Sequence, residues 1–272
     1  MSNLNIKADI TFIVKQKEKP VYDSSAITGM IPKLYFSVEK KSVNIKDIRQ
    51  LKKCSLNKNG FELLKFSSIY NIENISENLE RYKKEIYFFL KKKYNFKKIF
   101  IFDTTKRSNR KDGAPNNDGR RQPADRAHVD YTEKSGPVRA KDVIGDLLYN
   151  KTLEKGQRII QMNLWKPLCK KILSSPLAFA DPKSVQPKDL VATDQRFPNR
   201  IGEIYHLAYN QKQLWYWVPN MTENEVLLLK GWDSSNKKNV VKYTPHTSFN
   251  LSKQNIKKNP RDSIEARIFM IL

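Results

Sequence analysis

His128 and Asp130 stand two residues apart in Ala127-His128-Val129-Asp130. Side chains at i and i+2 of a strand share a face, so this spacing aims an imidazole and a carboxylate at one point. The chain has 3 histidines, and His246, in Tyr243-Thr244-Pro245-His246-Thr247, can supply the third ligand. Two histidines and a carboxylate on one face of an octahedron leave open positions, the arrangement of non-haem Fe(II) oxygenases. Arg261 and Ser263, in Arg261-Asp262-Ser263, repeat the two-residue spacing further on. A guanidinium and a hydroxyl on one face suit a carboxylate, held by parallel charge-assisted bonds and one more from the hydroxyl. 2-Oxoglutarate needs both halves: iron for its keto-acid end and a cation for its distal carboxylate. The expected site is therefore Fe(II) on His128, Asp130 and His246, with 2-oxoglutarate on Arg261 and Ser263 and O2 in the last position. No catalytic group beyond the metal ligands is expected. Arg267, an even number of residues along the same strand, is the fallback anchor.

Other chemistries find little support. His206, in Glu203-Ile204-Tyr205-His206-Leu207, has no ligand partner at a useful spacing and reads as structural or surface. Cys54 and Cys169 lie far apart, outside any Cys-rich motif, and read as buried small residues. That usage argues against a disulfide framework and for a reducing cytoplasm. Glycine is sparse (9 in all), and neither a dinucleotide-binding nor a P-loop glycine pattern occurs.

Elements must position these residues. Ile6, Ala8, Ile10, Phe12 and Val14 alternate and predict a strand over 6–14. Further strands are expected over 33–41, 60–66, 97–103, 127–130, 158–164, 177–180, 226–232 and 264–272. Ile75, Leu79, Tyr82, Ile86 and Phe89 predict an amphipathic helix over 74–94, and 141–151 predicts a short one. Residues 203–209 and 214–218 read as a hairpin closed by Asn210 to Gln213. Residues 105–125, rich in Gly, Pro and charge, read as a loop of about twenty residues, a length that usually marks function or disorder. It runs into the metal strand and could cover the site. Many strands with few helices predict a sheet-rich barrel or sandwich.

The chain holds 272 residues, with 51 Lys+Arg against 28 Asp+Glu, a formal net charge of +23. No apolar run is long enough to span a membrane, and the start has no secretory apolar core. A basic chain invites a nucleic-acid reading. Its best face here is Lys91 to Lys98, interleaved with Tyr94 and Phe96. The lysines are nevertheless scattered, as solvated-face lysines are, so nucleic acid is disfavoured as a partner. A continuous basic groove lined by exposed aromatics would argue binding; a metal triad would argue an enzyme.

The blocks Asn109-Arg110-Lys111-Asp112-Gly113, Gly119-Arg120-Arg121-Gln122-Pro123, Ala127 to Thr132, Asn163-Leu164-Trp165-Lys166-Pro167, Thr244-Pro245-His246-Thr247 and Pro260 to Arg267 resemble the CmcJ/NvfI family. Its members are mostly hydroxylases, desaturases and methoxylases of natural-product pathways. The ordered blocks run from about residue 60 to the C-terminus. The chain departs from the family at Lys166, where Arg is usual, and at Gln213-Leu214 and Gly231-Trp232. The resemblance implies a β-rich α+β fold: a double-stranded β-helix (jelly-roll, cupin-like) core with flanking helices. It implies one domain over residues 1–272, with residues 1–100 a strand and helix extension packed on the core. It carries metal roles onto His128, Asp130 and His246, and the 2-oxoglutarate role onto Arg261 and Ser263. Arg121, Tyr131, Asn163, Trp165 and Arg267 are the expected substrate contacts. The expected activity is hydroxylation, desaturation or ring closure at an unactivated C–H bond of a small natural-product or amino-acid-derived molecule. The alternatives are an iron oxidase of the same fold that needs no 2-oxoglutarate, and a basic nucleic-acid-binding protein.

Overall fold

The computed structural model describes residues 4–272. Its strands, in chain order, are β1 (Ile6–Ile13), β2 (Val21–Asp23), β3 (Lys33–Leu34), β4 (Val38–Asp47), β5 (Phe61–Lys65), β6 (Lys98–Ser108), β7 (Ala114–Asn116), β8 (Gly119–Arg121), β9 (His128–Val129), β10 (Ile159–Pro167), β11 (Leu177–Ala180), β12 (Leu190–Phe197), β13 (Arg200–Leu207), β14 (Trp215–Trp217), β15 (Glu225–Asp233), β16 (His246–Ser248) and β17 (Asp262–Ile271). The helices are α1 (Ser25–Thr28), α2 (Leu79–Lys93), α3 (Ser135–Ile144) and α4 (Asp146–Glu154). A ten-stranded sheet runs β1-β4-β14-β11-β16-β9-β13-β12-β2-β3, and a five-stranded sheet runs β5-β15-β10-β17-β6.

The two sheets face each other. Phe61, Trp165, Leu227 and Leu229 of the smaller sheet pack against Leu177, Phe179 and Tyr216 of the larger. Alternation along β10 and β17 decides what faces where. Met162, Leu164, Ile264, Ala266 and Ile268 turn outward against Tyr82, Ile86 and Leu90 of α2. Those three helix residues recur every fourth position and are fully buried. Each such burial is worth about 1.5–3 kcal/mol. The inward positions are the unusual ones: Gln161 and Asn163 are 0% exposed and Glu265 is 6% exposed. Buried polar groups are costly unless bonded, so this polar inner row marks a site.

The larger sheet curls on itself behind the site. The Ala127 amide donates to the Thr11 carbonyl at 2.9 Å, and Ile10 and Phe12 of β1 pack with Ala127, Ala178, Leu207 and Trp215. The short strand β9, which carries His128, is thus clamped between its sheet and the chain's first strand. Strands from the first hundred residues widen both sheets, β1–β4 in the larger and β5 in the smaller.

Several expectations need correction. Residues 105–125 are not one structureless loop: β6 continues to Ser108, and β7 and β8 form a hairpin. Gly113 and Gly119 take positive φ there (61° and 117°), a conformation that side chains with a Cβ resist. The helix expected over 141–151 is two helices, broken at Gly145 with φ 85°. The helix expected from residue 74 begins at Leu79. The expected hairpin of 203–209 with 214–218 does not form. β13 pairs with β12 and β9, whereas β14 pairs with β4 and β11. Tyr94 and Phe96 make no exposed stacking platform: Phe96 is buried beneath Lys91, and the Tyr94 hydroxyl donates to Glu62 at 2.8 Å.

Candidate metal centre

β9 and β16 lie side by side, with His128 paired to His246. Their rings are 4.5 Å apart, and His128 Nε2 is 3.6 Å from Asp130 Oδ1. One ligand atom from each of His128, Asp130 and His246 lies within 4.8 Å of the other two. The hydrogen bonds fix the chemistry of these atoms. His128 Nδ1 meets the Arg126 carbonyl at 2.7 Å, and His246 Nδ1 meets the Thr244 carbonyl at 3.0 Å. A carbonyl only accepts, so each Nδ1 carries the proton and each Nε2 keeps a lone pair for a metal. Asn163 Nδ2 donates to Asp130 Oδ2, leaving Oδ1 on the imidazole side. Burial works to raise the Asp130 carboxyl, but the facing His128 and His246 rings and the Arg267 charge outweigh it and hold it well below the usual range. Two neutral imidazoles and one carboxylate are the donor set that a non-haem iron takes.

A network stands behind Asp130. Asn163 Nδ2 also donates to Glu265 Oε1 at 3.0 Å, and Gln161 Nε2 donates to Asn163 Oδ1 at 2.8 Å. Arg267 donates to Glu265 Oε2 at 2.8 Å and pairs with Asp103. The expected fallback anchor is therefore already neutralised by two carboxylates. Arg261 is not. It is 1% exposed, donates to the Ser175 carbonyl at 2.6 Å and to Ser263 Oγ at 3.3 Å, and lies over the Trp165 ring at 5.0 Å. Among the described residues no carboxylate lies within ion-pair distance of it. Burial, with the nearby Arg107 charge, pushes its guanidinium down to about 9. A buried cation without a counterion is the feature that an anionic co-substrate would satisfy.

A cavity of about 1800 Å³ opens onto His128 and Asp130. Arg121, Tyr131 and Arg267 line it, and burial pushes the Tyr131 phenol up to about 12. Asn163 and Trp165, also expected to touch substrate, are not in its wall. They stand behind Asp130 and Arg261 because their positions on the central strand β10 turn them into those contacts. Two cavity residues escaped the sequence reading. Arg107 on β6 shares the inward face of Asp103 and Thr105 and lines the cavity. His206 pairs across β13 with His128, so it extends the row His246–His128 on the same face. It is 2% exposed, with the Tyr22 and Phe36 rings 5.5 and 5.0 Å away. Burial, with the Arg126 charge nearby, holds its pKa well below the usual value, so it is neutral. Cys54 and Cys169 are unpaired, and burial pushes both thiols up, away from nucleophile behaviour.

A family model described as "Oxidoreductase/YMDC permease-like domain" matches residues 10–271. The chain belongs to this oxidoreductase family. Among the described residues no helix is long and apolar enough to cross a membrane. The chain is 28% identical over 243 residues to the alpha-ketoglutarate-dependent dioxygenase tstK of Talaromyces stipitatus, covering 85% of this chain and 84% of that one. It is 32% identical over 120 residues to the hydroxylase/desaturase asaB of Aspergillus flavus, covering 39% of this chain and 52% of that one. The iron and alpha-ketoglutarate-dependent endoperoxidase NvfI superposes with a TM-score of 0.82 at 22% identity, covering 98% of this chain and 97% of that one. The jelly-roll expectation holds at the level of fold.

Proposed function

We propose that the chain is a non-haem Fe(II), 2-oxoglutarate-dependent oxygenase acting at an unactivated C–H bond of a small molecule by hydroxylation, desaturation or ring closure. The observation that carries this reading is the triad geometry: one ligand atom from each of His128, Asp130 and His246 within 4.8 Å of the other two, with His128 and Asp130 in the wall of a cavity. His128, Asp130 and His246 would hold Fe(II), and Arg261 with Ser263 would hold the distal carboxylate of 2-oxoglutarate. Bound there, Fe(II) with 2-oxoglutarate and O2 supplies an oxidant able to take hydrogen from carbon. The chain's own residues do the rest. The Arg126 and Thr244 carbonyls orient the imidazoles, Asn163 orients Asp130, and Trp165 supports the Arg261 guanidinium. The names of tstK and asaB support the co-substrate and the reaction types for those proteins. We infer a natural-product or amino-acid-derived substrate. The reading takes the chain as one oxygenase domain, and the two free cysteines suit a cytoplasmic protein.

Anaerobic equilibrium dialysis with labelled 2-oxoglutarate tests this. Retention should require Fe(II) and should disappear in Arg261→Ala. Retention of iron without any retention of 2-oxoglutarate would favour the independent-oxidase alternative.

A further inference from the structure

The cavity is larger than its co-substrate needs. At about 1800 Å³ it exceeds the roughly 300–1,000 Å³ of ordinary small-molecule sites. Its lining carries cationic and hydrogen-bonding groups that the fold leaves unused. Arg107 makes one hydrogen bond, to the Gln122 carbonyl at 2.9 Å, and among the described residues has no carboxylate within ion-pair distance. Arg126 sits two residues before His128, on the inward side of Ala127. Only its Nη1 is paired, with Asp125 at 3.2 Å, while its Nε is buried without a partner. The Ser24 hydroxyl and His206 Nδ1 are likewise buried and unpartnered, and both residues line the cavity. Tyr22, 5% exposed, completes this wall beside His206. Unpartnered buried polar groups cost stability, so their presence in the lining of one cavity points to a ligand that bonds them.

The mouth has the opposite character. Ile31 is 61% exposed, Val138 57% and Ile201 69%, and all three line the cavity with Met30 and Phe197. Large aliphatic side chains rimming a polar recess suit a molecule with an apolar body.

We propose that the substrate is an amphiphilic organic acid. Its carboxylate seats between Arg107 and Arg126 beside Tyr22 and Ser24, and its apolar body runs outward along Ile31, Phe197 and Ile201. This rests on the oxygenase reading for the role of the ligand but not for its binding. Arg107 and Arg126 are here substrate-binding residues, and Arg261 keeps the co-substrate.

Dodecanoate, below its micellar concentration, and its methyl ester are the probes. Calorimetry is run anaerobically on protein loaded with Fe(II) and saturating 2-oxoglutarate. Dodecanoate should bind, and the ester about 10- to 150-fold more weakly, as expected for loss of charge-assisted bonds. Arg107→Met and Arg126→Met should lose a similar factor for the acid alone, and Arg107→Lys should recover part of it. Arg126→Met should leave 2-oxoglutarate affinity unchanged. Equal affinity for acid and ester, wild-type acid affinity in both Met variants, or competition between dodecanoate and 2-oxoglutarate would each overturn the proposal. Arg107-dependent binding of dodecanoate to a protein that takes up no Fe(II) would uphold the acid site and defeat the oxygenase reading instead.

Discussion

Asn163 offers the sharpest test of how the fold prepares its metal ligand. The side chain is 0% exposed and bonds Asp130, Glu265 and Gln161 at once. Asn163→Leu keeps the volume and removes the hydrogen bonds. Asp130 Oδ2 then loses its donor, and the carboxylate is free to rotate away from the imidazoles. A hydrogen bond to a charged group contributes about 1.5–3 kcal/mol. At 1.4 kcal/mol per decade this is roughly a 10- to 150-fold loss of metal affinity, which overlaps the 10- to 100-fold typical for partners behind metal ligands. The assay is calorimetric titration of metal-free protein with Fe(II) under anaerobic conditions, paired with urea unfolding of the same samples. Metal affinity within twofold of wild type, together with a lower unfolding midpoint, would show that Asn163 only fills space and would refute the reasoning.

Three further outcomes are expected. Arg261→Ala should raise the 2-oxoglutarate requirement by roughly 30- to 4,000-fold, from the 2–5 kcal/mol cost of losing a buried charge partner, while iron binding persists; Arg267→Ala, which strands Asp103 and Glu265, should instead lower the thermal midpoint. His206 is neutral in the fold, its pKa depressed by burial and by the Arg126 charge. Its contribution is present above the ordinary histidine pKa and is lost as pH falls below it. Metal-free wild type should therefore lose up to about 1.4 kcal/mol more per pH unit below about 6.5 than His206→Gln does, read from urea unfolding at two pH values. Gly136 in α3 lies against Trp232, where a Cβ would overlap the indole. Gly136→Ala should destabilise although Ala favours helix by about 1 kcal/mol, because overpacking costs about 1–3 kcal/mol; an unchanged or raised melting temperature would contradict this.

The parts of the fold legible in the sequence are those whose signal is local. The alternation of Ile6 to Val14 gives β1, and the four-residue recurrence of Tyr82, Ile86 and Leu90 gives α2. The His128/Asp130 and Arg261/Ser263 spacings are local as well, each pair straddling a strand end, with Asp130 just past β9 and Arg261 just before β17. What escaped depends on pairing between strands. His206 carries no spacing signal to His128, and only the β13–β9 register sets them in one row. Arg107 is one cation among 51 Lys+Arg, and its significance comes from Ser263 opposite it on β17. The β7–β8 hairpin did have a local signal, the turn pair Asn117-Asp118 followed by Gly119, that the surrounding charge and proline obscured. The true β12–β13 hairpin turns at Pro198-Asn199. That turn pair marks it better than the polar run Asn210 to Gln213, which connects strands that do not pair.

The central claim is that His128, Asp130 and His246 hold an iron to which 2-oxoglutarate binds. Anaerobic Fe(II) titration in the presence of 2-oxoglutarate, followed in the visible range, tests it most directly. Chelation of iron by the keto-acid produces a weak charge-transfer band. The band should appear in wild type and be absent from His128→Ala and His246→Ala, with iron no longer retained by either. A band of full intensity in either variant, or iron retention with no band in wild type at saturating 2-oxoglutarate, would contradict the account.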